Sequence, residues 1–567
     1  MALPWHSVTL QRFSDRLAAF AEDLWFGVLE LWRAGPVHQN ALAGEAPAGI
    51  AVAVRDPRVG DERRGQAMLS GSLVLGEERI DLSDNRSPFD GFLEGHTADL
   101  AHAFAWLPDL LAAGLNGRAL AKTWTLSWIE RFGRYDARAW TPALCGARVC
   151  ALLGPGGEML ADAPPIERAR ILAVIGEQLR HLARADAINA DPDGQWARAL
   201  ALALAHAVLD NADVCGATFG PLEKLVEEAI LPDGGHAFRA PDRLLDAMTD
   251  LAVLDLALGA RGQHLPEALS AALDRGTAAL RFFRMPDGDL CTLAGSGEGD
   301  TGALAAALDD AEPHAPFASA HHCGFQRIDA GNTVFLIDVG GPPARPFHPD
   351  CTAAPLAFEL ADGQSRMVVS VGPGAADDTA WRDAARATAA SSTITLADTS
   401  ADIPRAQKRG GYGVRGRRAD SPDGPWLEAR HDWYLDRFGL AHRRRIAISL
   451  DGLSVIGEDT LFRPIEEKGG IGIDPIPWAM RFHLHPDVRA GLARDGKSVI
   501  LELDNGKAWR FRADGGPVTL EASLYTGGQT PRPTRQIVVT GLADPADSGI
   551  GRGNSASWSF AREGASA

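Results

Sequence analysis

The chain has 567 residues, enough for two or three separately cored domains, and its 46% apolar and 23% charged content is ordinary for a globular protein. Its net charge is −18, unevenly spread: residues 316–567 hold 29 Lys and Arg against 30 Asp and Glu, leaving 27 against 44 for residues 1–315. That excess excludes nucleic acid as a partner of the first part, while the second is balanced enough to carry a local basic patch.

Residues 1–34 predict an amphipathic helix, with Leu17, Phe20, Leu24, Val28 and Leu31 at helical spacing. Asp15, Arg16, Glu22 and Asp23 interrupt its apolar run, so we expect no signal peptide, no membrane span and a cytoplasmic location. Residues 40–94 read as irregular, with a small hairpin over 71–82. Helices are then expected over 97–113, 117–133, 142–153, 165–187, 193–211, 220–230, 241–260 and 265–283. Pro142, Pro165, Pro192, Pro221, Pro241 and Pro266 punctuate them. The six cysteines show no Cys-x-x-Cys spacing and read as buried thiols.

Residues 284–320 are rich in Gly and Pro and read as a crossover. Beyond it the apolar period changes from three or four to two. Asp362-Gly363, Asp451-Gly452, Asp495-Gly496, Asn505-Gly506 and Asp514-Gly515 mark hairpin turns. About a dozen strands imply a large antiparallel sandwich. The expected organisation is a helical domain over 1–315 and a β-sandwich over 316–567.

Five segments together resemble the heparinase II/III-like polysaccharide lyases: ILPDGGHAFRAP (230–241), LAFELADGQSRMVVSVG (356–372), RATAASSTITLAD (386–398), HDWYLDRFGLAHRRRI (431–446) and RFHLHPDV (481–488). The resemblance implies an incomplete (α/α) toroid followed by a β-sandwich, an acidic, uronate-containing glycan as partner, and cleavage by β-elimination. It also implies a periplasmic alternative for the location. Such chemistry needs a group that neutralises the uronate carboxylate, a base for the C5 proton and an acid for the leaving oxygen. The chain departs from the pattern at four places, one being Asp193-Gly194-Gln195-Trp196 on the helix where an Asn-His pair is expected. Arg243 stands where a Tyr is expected, and Thr352 and Ser391 stand where His is expected. A non-catalytic glycan-binding protein on a lyase scaffold is the alternative function. A hydrolase using Glu359 or Asp242 is a third, without evidence of a carboxylate pair.

Several residues are candidates to carry the chemistry. Arg481, His483 and His485 alternate with Met480, Phe482 and Leu484, so they share one strand face. They either line a site or form a plain polar face. Two His at i and i+2 can hold a metal such as zinc, but no third ligand is near in sequence, and no cofactor is expected. Tyr135 is the one Tyr of the helical part, a possible acid or an inter-helix corner. His431 and Trp433 form an aromatic cluster for sugar stacking or for packing the sandwich. Arg148, near Trp140 and Pro142, could fork onto a carboxylate or form a structural ion pair. His236, Arg239 and His348 lie in loops and are candidates for substrate contact. The basic run 408–418 reads as a loop.

Overall fold

The computed structural model describes residues 35–54, 56–76, 78–82, 87–91, 93–185, 192–309, 315–343, 352–374, 379–401, 414–464, 474–545 and 554–564. The expected first helix, His348 and residues 408–413 lie outside them.

The contacts divide the chain into two compact units, Met1–Leu225 with Val253–Pro266, and Val226–Ala252 with Glu267–Ala567. The hydrophobic period changes near 316, but the contacts divide elsewhere, because the segments 226–252 and 267–309 pack with the strands. Arg327 of strand Phe325–Ala330, for example, donates to the carbonyls of Phe282 and Arg284, both at 2.8 Å.

The first unit is helical. Its helices include Gly114–Phe132, Pro142–Leu153, Pro165–Arg184 and Pro192–Val208. Proline opens three of them, where its missing N–H costs nothing. Thr141 caps Pro142–Leu153 by accepting from the Leu144 N–H at 3.4 Å. That helix lies close to Pro192–Val208 because Gly146 has no side chain; a Cβ there would sit 2.5 Å from the Ala197 carbonyl. The hairpin Ser72–Leu75 with Glu78–Asp81 forms as expected.

The second unit holds the sandwich, and every strand pair in it is antiparallel. One sheet has nine strands; along its main path run Val518–Tyr525, Arg532–Ala543, Ile476–Leu484, Ser365–Val369, Phe358–Asp362, Thr333–Asp338, Phe325–Ala330 and Ser319–Ala320, and Ile394–Leu396 also pairs with Ile476–Leu484. The other has eight: Arg415–Ser421, Gly424–His431, Ala441–Ile448, Ser454–Phe462, Asn554–Arg562, Ala508–Ala513, Ser498–Glu502 and Arg489–Leu492. Part of the expected basic loop is thus an edge strand, Arg415–Ser421. Between the sheets Phe358, Phe482, Phe511, Trp558 and Phe560 form a continuous aromatic core. Inside the crossover, Thr301–Asp309 is a helix that sequence reasoning did not anticipate.

Candidate functional site

The strand Ile476–Leu484 alternates as its sequence requires. Met480, Phe482 and Leu484 enter the core, and Arg481, His483 and His485 take the opposite face. His483 is nonetheless enclosed. Its Nε2 donates to the Ala389 carbonyl at 2.9 Å and its Nδ1 accepts from Ser523 Oγ at 2.8 Å. Burial pushes it down to about 4, so it is neutral and both nitrogens are committed. Arg481 donates to Thr395 Oγ1 at 2.6 Å and lies 3.7 Å from the Asp398 carboxylate.

His485 belongs to a polar cluster assembled from segments distant in sequence. Its ring meets Tyr525 edge-on at 5.1 Å, and Tyr525 Oη donates to Glu298 at 2.6 Å. Nδ1 lies 3.4 Å from Asp487, and Nε2 is 4.0 Å from Glu298. Burial, with Arg366 nearby, lowers His485 to about 4. Burial also raises the Tyr525 phenol well above its ordinary value, and Glu298 reinforces the shift. Arg366 is clamped by Asp287 and donates to the Leu290 carbonyl at 2.9 Å. A cavity of about 260 Å³ is lined by His485, Arg366, Asp287, Asp487 and Asp504 among others. Tyr525, Glu298, Arg366 and Asp287 were missed by sequence reasoning. Arg366 and Tyr525 offered only their place on strands and Asp287 its Asp-Gly turn, while Glu298, in the Gly-rich crossover, offered no signal.

The positions that the resemblance singles out also lie in this unit. The Asp242 carboxylate accepts from the N–H groups of Gly297 at 2.8 Å and Arg243 at 2.7 Å, and burial raises its pKa. It is therefore bonded to backbone at a helix start. Thr352 stands over Gly295, where a Cβ would lie 2.6 Å from its Oγ1. Ser391 is buried, its N–H bonded to Thr388 O at 3.2 Å. Arg243 lies 5.6 Å from the Phe238 ring. His236 stacks on Phe238 at 5.4 Å and accepts from the Phe238 N–H. Burial, aided by Arg243, pushes it down to about 3.

Four expectations need correction. Arg148 is not available to a ligand. It is fully buried, donates to the carbonyls of His102 at 2.7 Å and Ala139 at 3.1 Å, and lies 4.0 Å over the Trp128 ring. Arg239 is buried against Asp338 and bonded to the carbonyls of Cys323 at 2.7 Å and Gly341 at 2.9 Å. His431 and Trp433 are inside the sandwich. His431 Nδ1 accepts from the Trp433 N–H at 3.2 Å, so Nε2 carries the proton and donates to His442 Nδ1 at 3.0 Å. His442 Nε2 then donates to Asp459 at 2.6 Å, and Asp459 also receives Arg444 and Trp558. Side chains locked into such interiors cannot touch a sugar. Tyr135 lies in the expected inter-helix loop of the first unit, in an aromatic cluster with His38, Trp140 and His181. Among the described residues no group of three or more His, Cys, Asp or Glu could hold a metal, and no helix is long and apolar enough to cross a membrane.

A helical region followed by a large antiparallel sandwich is the architecture of the heparinase-type lyases. Residues 312–559 match the heparinase II/III-like C-terminal domain, and the chain belongs to the heparinase II/III-like family. It is 34% identical over 553 residues to the FtsZ-localized protein C of Caulobacter vibrioides, covering 93% of this chain and 92% of that one. Among solved structures, heparinase III superposes with a TM-score of 0.65 at 12% identity, covering 93% of this chain and 89% of that one. The heparan sulfate lyase HepC from Pedobacter heparinus gives 0.57 at 14% identity, covering 98% and 90%. At such identities these structures establish the fold alone.

Proposed function

We infer that this chain is a non-catalytic member of the family, acting where FtsZ gathers at the cell-division site, because its Caulobacter relative is named an FtsZ-localized protein. The observation that carries the reading is the occupancy of the expected chemical positions. Arg243, Thr352 and Ser391 replace a Tyr and two His, and among the described candidates His483 and His431 are held away from any substrate proton. His483 has both nitrogens bonded and His431 is sealed in the core.

One observation favours retained β-elimination of an acidic glycan: His485 and Tyr525 touch, and such a pair could supply base and acid. Of the carboxylates around it, Asp287 is paired with Arg366 and Asp487 with Arg532, but Glu298 and Asp504 add negative charge that opposes a uronate.

Two measurements test the reading. A fluorescent fusion in the native host is expected to gather at the FtsZ ring. Incubation with a panel of uronate polysaccharides is expected to give no ultraviolet absorbance from a C4=C5 double bond. Absorbance that rises with enzyme concentration would overturn the non-catalytic assignment, and diffuse fluorescence would overturn the division-site assignment.

A further inference from the structure

The outer face of the eight-stranded sheet carries an arrangement unrelated to the lyase positions. Strand registry places Arg415 opposite Arg430, Arg430 opposite Arg443, and Arg443 opposite Thr460. Directly paired residues share a face, so three arginines stand in one row across three strands, about 5 Å apart. The next row is Arg417, Glu428, Arg445 and Glu458. There charges are matched: Glu428 meets Arg417 at 3.2 Å and Arg445 at 2.6 Å, and Glu458 lies 3.6 Å from Arg445 and 3.8 Å from Arg443. The third row, Ala419, Trp426, Ala447 and Ile456, is apolar, with Ile456 54% exposed.

The first row is compensated at one end alone, where Arg443 lies 3.8 Å from Glu458 and donates to Thr460 Oγ1 at 3.4 Å. Among the described residues neither Arg415 nor Arg430 meets a carboxylate. Arg443 Nε is buried without a hydrogen-bond partner. Burial and the neighbouring Arg445 lower the Arg443 pKa. Like charges directly opposite one another destabilise a sheet, and a fold gains nothing from keeping three in line. The cost is recovered if an anionic group binds there. The strand's other face is anchored inward, since Arg418 donates to the Ala318 carbonyl at 3.2 Å, so the row faces outward.

We propose that this face docks an acidic segment of a partner protein, its carboxylates on Arg415, Arg430 and Arg443 and an apolar side chain on Trp426 and Ile456. The graded surface selects that occupant. Arginine and Trp side by side are typical of the centres of protein interfaces. A long polyanion or an anionic bilayer would extend its charge over the apolar row and over the carboxylates of Glu428 and Glu458. A short acidic segment meets the arginines without either penalty. The inference does not depend on the division-site reading, since the face is defined by registry and charge alone.

The test uses the full chain and a fluorescein-labelled synthetic peptide that alternates glutamate with valine and carries one phenylalanine. Anisotropy is expected to show binding that weakens with added salt, and to weaken by at least about tenfold in Arg415→Glu/Arg430→Glu. Arg489→Glu, at the opposite edge of the sheet, is expected to bind normally. Thermal melting of the single variant Arg430→Gln is expected to show unchanged or increased stability, because a like-charge contact is removed; this separates lost binding from lost folding. Undiminished peptide affinity in the double variant would overturn the proposal, as would no peptide binding by the native chain. It would equally be overturned if a heparin-derived oligosaccharide or phosphatidylglycerol vesicles, and not the peptide, bound in a manner abolished by the double variant.

Discussion

Glu359 and Thr292, 67 residues apart, are joined through a single carboxylate oxygen: Oε1 accepts from both the N–H and the hydroxyl of Thr292 at 2.6 Å, while Oε2 is buried with no hydrogen bond. Arg366 Nη1 stands 4.0 Å from Oε2, beyond bonding distance. Burial outweighs these partners and raises Glu359 to about 7.

A raised carboxyl pKa has a definite sign for stability. Between the ordinary value of 4.5 and about 7, the unfolded chain releases this proton while the folded chain keeps it, so the folded state loses stability as pH rises through that window. Glu359→Gln keeps an acceptor for Thr292 and removes the charge. It is expected to raise stability above pH 7 by roughly 3 kcal/mol and to change little below 4.5. Urea unfolding at the two pH values checks this; an equal effect at both would disprove the titration argument.

The buried histidines act in the opposite sense. Burial lowers His102, His236, His431, His442, His483 and His485 below the ordinary 6.5. The unfolded chain takes up these protons as pH falls through 6.5 while the folded chain does not, so stability falls with acidification. Thermal melts should show a midpoint that declines below pH 6.5. Opposing carboxyls such as Glu359 soften the slope without reversing it.

Asp459 is the anchor of the buried histidine relay. Burial alone would raise its pKa, but Arg444 and His442 hold it well below the usual carboxylate range. Asp459→Asn leaves Arg444 as a buried cation without its counter-charge, and the expected loss is about 3–5 kcal/mol. Denaturant midpoints measure it. A loss comparable with a surface substitution would show that the backbone carbonyls of Leu356 and Ser392, which also hold Arg444, suffice alone.

Arg148→Ala is expected to destabilise the helical unit by roughly 2–4 kcal/mol, since it empties a fully buried site and leaves two backbone carbonyls without their donor. Trp128 fluorescence should change, because the guanidinium leaves its ring face. Peptide or glycan affinity measured on the remaining folded fraction should not change.

Gly146→Leu tests the close approach of Pro142–Leu153 to Pro192–Val208. Its Cβ would meet the Ala197 backbone at 2.5 Å, a contact that only helix displacement relieves. A loss of about 1–3 kcal/mol or more is expected by urea unfolding, whereas substitution at exposed Leu115 in the preceding helix should be near neutral.

Much of the fold was legible because its punctuation is local. Prolines at residues 142, 165, 192 and 241 open helices where the sequence placed them, and Asp-Gly turns at 362 and 451 close hairpins. The period-2 pattern around Met480 gave the correct two faces. It could not show what covers each face, so His483 read as available when Ser523 and Ala389 enclose it. Arg148 and His431 misled for the same reason: charge and polarity in sequence suggest solvent or ligand, while their partners are carbonyls and rings brought in from distant segments. The Glu359–Thr292 and Tyr525–Glu298 contacts leave no trace at any fixed spacing.

The strand Arg415–Ser421 forms one margin of its sheet, and an unpaired margin invites a second copy of the same strand to add to it. Here each arriving strand would bring Arg415, Arg417 and Arg418 against the same cations already in place. The side chains that would welcome an acidic visitor therefore turn away the chain's own likeness, and like charge helps to keep the sheet finite.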